Sequence, residues 1–182
     1  FLVRRRGIPQ DLTITLNLPG SHNALNALAA IAIATDEGVS DLDITAGLSR
    51  FQGVGRRFEI HGHFGVGSGS GRFMLVDDYG HHPTEVRATI ESVRAGWRDS
   101  RLVMIYQPHR YSRTLELFDQ FVDVLSTVDV LILLDIYGAG ETPIVGAGGE
   151  DLYKAIKRKS GVTVRYVARV ENVPDVLEGL VQ

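Results

Sequence analysis

Three short segments concentrate side chains that could do chemistry. DDYGHHP (77–83) packs two carboxylates, a phenol and two imidazoles into consecutive positions. QPHRYSR (107–113) carries an imidazole and two guanidiniums, and DIYGAGE (135–141) carries two more carboxylates. Asp77, Asp78, His81 and His82 are oxygen and imidazole donors of the kind that hold metals in dinuclear phosphoesterases. Both histidines directly precede Pro83 and the start of a helix, however, so they are expected to project in different directions. Asp135 and His109 are the only nearby donors to complete such a site. A grip on an anionic substrate fits the residues better. Arg110 and Arg113 lie three apart just after an apolar run, and their forks suit a carboxylate or a phosphate. Positive charge at a helix start opposes the dipole, which a bound anion would relieve. For His82, capping and packing at the turn is the plainer account; for His81 it is less so.

Two upstream segments add candidates. SHNALN sets His22 and Asn26 at i, i+4 and Asn23 and Asn26 at i, i+3 on one helix. Amides can read the edge of a heterocycle, and they can equally serve as caps and buried amides. In GRRFE, Arg56 and Arg57 stand at a junction where they could clamp phosphates, although composition alone describes them as solvated charges.

The elements that must position these groups are legible from periodicity. Residues 1–20 read as two strands, with Arg4, Arg5 and Arg6 on a solvated edge. Ser21 is placed to cap a helix over 22–34 that closes at Gly38, and a second helix follows over 41–51. GVGRR (53–57) is a linker. Strands are expected at 58–61 and 73–77 around the GVGSGSG turn (65–71), then a helix over 83–95 with proline in its first turn. Strands at 102–106, 130–136 and 162–167 alternate with helices at 114–126, 149–159 and 173–180. Runs such as LVMIY and VLILL suit strands covered on both faces. The body from about residue 56 is therefore α/β, a doubly wound, mostly parallel sheet. Ligands of such sheets bind beyond the carboxyl ends of the strands, where the three polar segments lie.

Composition narrows the function classes. The chain has 182 residues, 44% hydrophobic and 23% charged, with a net charge of −3 and no cysteine. A globular core is affordable on those numbers. The charge argues against non-specific nucleic-acid binding, and the missing thiols exclude disulfides, zinc-thiolate sites and a cysteine nucleophile. The longest apolar run, ALNALAAIAIA, is too short to span a bilayer, and no signal peptide is visible, so a cytoplasmic protein without membrane association is expected. With Phe1 opening a strand, the chain reads as a piece of something longer.

Together PGSHNALNALAAIAIA, FQGVGRRFE, VDDYGHHPTEV and QPHRYSRT, in this order and spacing, resemble the Mur ligases. The likeness is strongest to the branch that joins L-alanine to UDP-N-acetylmuramate. The murein-peptide recycling branch is similar but is expected to carry Phe-Ala where this chain has Tyr79 and Gly80. The resemblance implies a Rossmann-like C-terminal domain over 56–182, preceded by the end of a central ATP-binding domain over 1–55. It implies ATP-dependent amide formation through an acyl phosphate, with ATP, UDP-N-acetylmuramate and L-alanine as substrates and Mg²⁺ held outside this chain. Matched motif by motif, His22, Asn23, Asn26, Arg56, Arg57 and Asp78 would bind ATP. Tyr79, His81, Arg110 and Arg113 would bind substrate, the last three acting in catalysis, with no metal ligand among them. Asp77 and His82 are expected to be structural. No GxxGK[ST] loop occurs in the chain, so it is expected to be inactive alone, with a hinge near 53–55 and apolar surface over 1–55 that invites self-association.

Overall fold

A computed structural model describes residues 1–65, 71–159 and 161–180. The glycine turn expected at 65–71 falls largely outside the described residues. The chain opens with an antiparallel hairpin, β1 (Leu2–Arg5) and β2 (Ile8–Thr13), in which Val3 faces Leu12. Helices α1 (Ser21–Asp36) and α2 (Asp41–Arg50) pack against it around Val3, Leu12, Ile14, Ile31 and Ile44. Arg5 departs from the expected solvated edge. Its guanidinium makes two 2.6 Å hydrogen bonds to the Asp41 carboxylate and is only 11% exposed. The fork–fork match is what allows a strand arginine to tie the hairpin to α2.

Ser21 is not the cap of α1: Gly20 holds that position with φ 98° and no side chain bonds the helix start. A Cβ at Gly20 would lie 2.4 Å from Ser92 Oγ, so glycine is needed there for both its backbone and its size. At α2 Ser40 is the cap, accepting from the Asp43 amide at 3.2 Å.

The second body begins with another antiparallel hairpin, β3 (Glu59–Gly65) and β4 (Arg72–Asp77), bulged between Ile60 and Gly62. Helix α3 (Pro83–Gly96) follows, then β5 (Val103–Tyr106), α4 (Tyr111–Glu116), α5 (Phe118–Leu125) and β6 (Val130–Leu134). Helix α6 (Gly149–Lys159), β7 (Thr163–Val167) and α7 (Val173–Glu178) complete it. Strands β5, β6 and β7 form a parallel sheet in that order. β6, central and buried along its whole length, alternates between two cores. Leu131 and Leu133 meet Phe121, Leu125, Leu152 and Ile156 of α5 and α6, with Val86 and Ile90 of α3 beside them. Ile132 and Leu134 meet Val167, Val173 and Leu177. Each such fully buried side chain stabilises the fold by about 1.5–3 kcal/mol. Helices thus cover both faces, as the continuous apolar run of β6 requires.

Two elements differ from expectation. The helix expected over 114–126 starts earlier and is broken, with Leu117 (φ −110°, ψ 22°) separating α4 from α5. The 73–77 strand pairs with β3 rather than extending the parallel ladder. The free edges of β4 and β5 instead border a cleft of about 570 Å³ that is also lined by Ile90, Val93 and Trp97 of the α3 region. Among the described residues no helix is long and apolar enough to cross a membrane.

Candidate functional site

The turn from β4 into α3 is built by two carboxylates. Asp78 Oδ2 accepts from the Phe58 amide at 2.9 Å and Oδ1 from the Gly80 amide at 2.7 Å, which pins the GRRF linker against the turn. Glu85 Oε2 accepts from the amides of His81 (3.0 Å) and His82 (3.2 Å), while His82 Nδ1 accepts from the Thr84 amide at 3.2 Å. This is a capping box with histidine in the usual serine place. Burial pushes the Glu85 carboxyl up. The two amides and the charges of His81 and Arg57 outweigh that effect and hold it below the usual range.

The four donors of the metal reading do not converge. Asp78 and His82 are spent on backbone amides, His81 Nδ1 lies 3.1 Å from the Tyr79 carbonyl, and Asp77 accepts from Arg56 Nε at 3.1 Å. Among the described residues the donors close enough together for an ion belong to Glu59, His61 and Asp77. Arg56 already occupies that trio, its amide on Glu59 at 2.7 Å and its guanidinium on Asp77. An imidazole and two carboxylates held by a cation do not make the oxygen cage that Mg²⁺ requires.

The nucleotide candidates largely share one place. A cleft of about 620 Å³ between α1 and α3 is lined by His22, Asn23, Asn26, Arg57 and Asp78, with Leu16, Phe51 and Phe58 supplying apolar walls. Asn23 is partly committed, donating to the Pro19 carbonyl at 2.7 Å, whereas Asn26 is exposed to the cleft. Arg56 stands outside this lining, its guanidinium 5.0 Å from the Tyr79 ring centroid; Arg57 lies 6.0 Å from the same ring and 3.5 Å from Glu85 Oε1. Tyr79 is thereby covered by two cations.

The second group runs along the carboxyl ends of β4, β5 and β6. Ring centroids step from Tyr79 to His81 (5.5 Å), His81 to His109 (5.9 Å) and His109 to Tyr137 (5.5 Å). The loops after β5 and β6 are sewn together by Arg110 N–H to the Tyr137 carbonyl and Tyr137 N–H to the Pro108 carbonyl, both 2.9 Å. Arg113 Nη1 donates to His109 Nδ1 at 3.3 Å and to the His109 carbonyl at 3.2 Å. Burial, then the charges of Arg113, Arg110 and His81, hold the His109 imidazole below its ordinary value. Glu141 accepts from the Ser112 hydroxyl (2.6 Å) and amide (3.0 Å), and these bonds hold its carboxyl low.

Arg110 and Arg113 do not share a helical face. Arg110 is the residue before α4, with φ 73°, and α4 has six residues, too few for a substantial dipole. A grip on an anion here would rest on the guanidiniums themselves. His109, Glu85, Tyr137 and Glu141 were not singled out as substrate or nucleotide contacts from sequence. His109 lay inside QPHRYSR and Glu85 three places after His82, a spacing that marks a capping box.

Comparison with known proteins places this geometry. The family described as Mur ligase, glutamate ligase domain matches residues 56–182. The crystal structure of UDP-N-acetylmuramate-alanine ligase MurC from Thermotoga maritima superposes with a TM-score of 0.71 at 27% identity, over 92% of this chain and 33% of that one. MurF from Acinetobacter baumannii gives 0.63 at 21% identity, over 93% and 33%. Folylpolyglutamate synthase from Mycobacterium tuberculosis, complexed with ADP and AMPPCP, gives 0.66 at 19%, over 94% and 36%. The chain spans about a third of the length of these relatives, and the two below 25% identity share its fold alone. With the profile match over most of its length, the chain belongs to the Mur ligase family.

Proposed function

We propose that this chain is part of a cytoplasmic ATP-dependent ligase that joins L-alanine to UDP-N-acetylmuramate in peptidoglycan precursor synthesis. Residues 1–55 would end the central ATP-binding domain and 56–182 form the C-terminal domain. The observation that carries this reading is the adjacency of two differently equipped sites. One is an apolar-walled cleft with amides, Arg57 and Asp78; the other is a cationic and imidazole row at the strand ends. A nucleotide suits the first, its base against Asn23 and Asn26 with His22 beside them and its ribose at Asp78. Arg56 and Arg57 stand where polyphosphate would emerge. A small amino acid suits the second, its carboxylate on Arg110 and Arg113 and its body against Tyr79 and His81. The choice of L-alanine rests on the likeness to the Thermotoga maritima enzyme.

In the proposed reaction the muramoyl carboxylate attacks the γ-phosphorus of ATP and ADP leaves. The amine then attacks the acyl carbon, and phosphate departs. Guanidiniums that neutralise and orient the reacting anions serve both steps. Mg²⁺ would be held by groups outside this chain, and no step here is drawn through it. The hinge would lie near 53–55, where Gly53 has φ 91°, letting the two bodies close and exclude water from the acyl phosphate.

The test is phosphate release by the protein at its full natural length. Release is expected to require ATP, UDP-N-acetylmuramate and L-alanine together. Turnover with another amino acid in place of L-alanine would reject the assignment. Arg110→Ala is expected to raise the KM for L-alanine, and an unchanged KM would remove Arg110 from the site. The 182-residue chain by itself is expected to show no turnover.

A further inference from the structure

We propose that His109 is the general base that takes a proton from the attacking amine, a role that rests on the amide-forming reading above. The geometry ties the base to the anion grip. Arg113 has no acceptor capacity, so its 3.3 Å contact with His109 Nδ1 is a donation to the imidazole lone pair, and the neutral ring carries its proton on Nε2. His109 therefore rests in a masked state. An α-amino acid bears its ammonium one carbon from its carboxylate. When that carboxylate takes the Arg113 N–H groups, it withdraws the donor that masks Nδ1 and brings its own ammonium to the freed lone pair. The guanidinium need not travel, because it also donates to the His109 carbonyl at 3.2 Å.

Every charged or titratable neighbour is consistent with a base kept neutral until used. Arg110 and Arg113 belong to its own loop and α4, His81 comes from the turn before α3, and Tyr137 and Glu141 come from the loop after β6. The cations disfavour a resting imidazolium; Glu141, the opposing charge, is occupied by Ser112. His81 is less suited, since its Nδ1 lies against the Tyr79 carbonyl and the Glu85 carboxylate at 3.1 and 3.6 Å.

The protons balance as follows. The ammonium gives one proton to His109 Nδ1, and the amine lone pair forms the C–N bond, giving a tetrahedral intermediate. That intermediate passes its second N–H proton to a phosphate oxygen as the C–O bond breaks and phosphate leaves with the electron pair. His109 returns its proton to solvent.

Hydroxylamine, already unprotonated at neutral pH, separates a base from a structural residue. In the full-length protein, His109→Gln is expected to lower kcat with L-alanine by on the order of 10²–10⁴-fold. Hydroxamate formation with hydroxylamine should fall by less than about 10-fold, and the acid limb of kcat/KM for L-alanine should move up from the imidazole range to that of the substrate ammonium. In His109→Ala, added imidazole should restore part of the L-alanine rate. Equal losses with the two amines and no rescue by imidazole would overturn the proposal, as would an unchanged L-alanine rate in His109→Gln. If the wild type yields neither the alanyl product nor hydroxamate, the ligase reading itself fails, and the proposal with it.

Discussion

Removing the Glu85 carboxylate tests whether one side chain sets the turn that joins the two candidate sites. In Glu85→Ala, the amides of His81 and His82 lose acceptors at 3.0 and 3.2 Å, and Arg57 loses a 3.5 Å partner. A hydrogen bond to a charged group contributes about 1.5–3 kcal/mol. The carboxylate is 35% exposed and the Arg57 contact is long, so solvent screening brings the expected loss to about 2 kcal/mol. For a chain of this size that lowers Tm by about 4–8 °C. Glu85→Gln keeps a carbonyl acceptor and should lose about half as much. Because the folded carboxyl titrates below its ordinary value of 4.5, its contribution is complete above that pH and fades as pH falls through the folded value. Thermal unfolding followed by circular dichroism at neutral pH and near pH 3 provides the assay. A Tm within about 1 °C of wild type at neutral pH refutes the capping account. So does a difference that persists undiminished near pH 3.

Other expectations follow from the same contacts. Gly149→Ala places a Cβ 2.8 Å from the Leu134 carbonyl oxygen; it should cost about 1–3 kcal/mol by denaturant titration, and a neutral result would show that α6 can shift off β6. Asp129 pairs with Arg94 at 3.0 Å and accepts from the Leu102 amide at 2.7 Å, and these outweigh burial to hold its carboxyl low, Arg94 foremost. Asp129→Asn should destabilise at neutral pH by about 1 kcal/mol, with the difference from wild type closing as acid protonates the native carboxylate; a pH-independent difference would contradict the ion-pair origin.

The parts of the fold that periodicity exposed are those in which one residue pattern permits one environment. The VLILL run admits only a strand covered on both faces, and Pro83 after two histidines admits only a helix start. What escaped were features decided by tertiary partners. Arg5 looks like any edge arginine until α2 brings Asp41 to it, and Leu117 carries no breaker signal where α4 gives way to α5. At the candidate site, the segments were visible while their division of labour was not. His81 and His82 are chemically identical, and only the backbone shows that His82 caps α3 while His81 turns toward His109. The masking of His109 by Arg113 belongs to the same class, since they lie four positions apart and a helix start decides which way each points.

The separation of the β3–β4 hairpin from the β5–β6–β7 sheet has a consequence for how the molecule opens. Asp77 ends one hydrogen-bonded ladder and Asp78 follows it, His109 and Tyr137 pair in a bridge beyond the ends of the other, and among the described residues no ladder joins the two. Cooperative opening units follow such ladders. The turn that carries Asp78 and His81 can therefore exchange its amides with solvent while the loops that carry His109 and Tyr137 stay closed, and the ring contact between His81 and His109 is the seam along which the two units part.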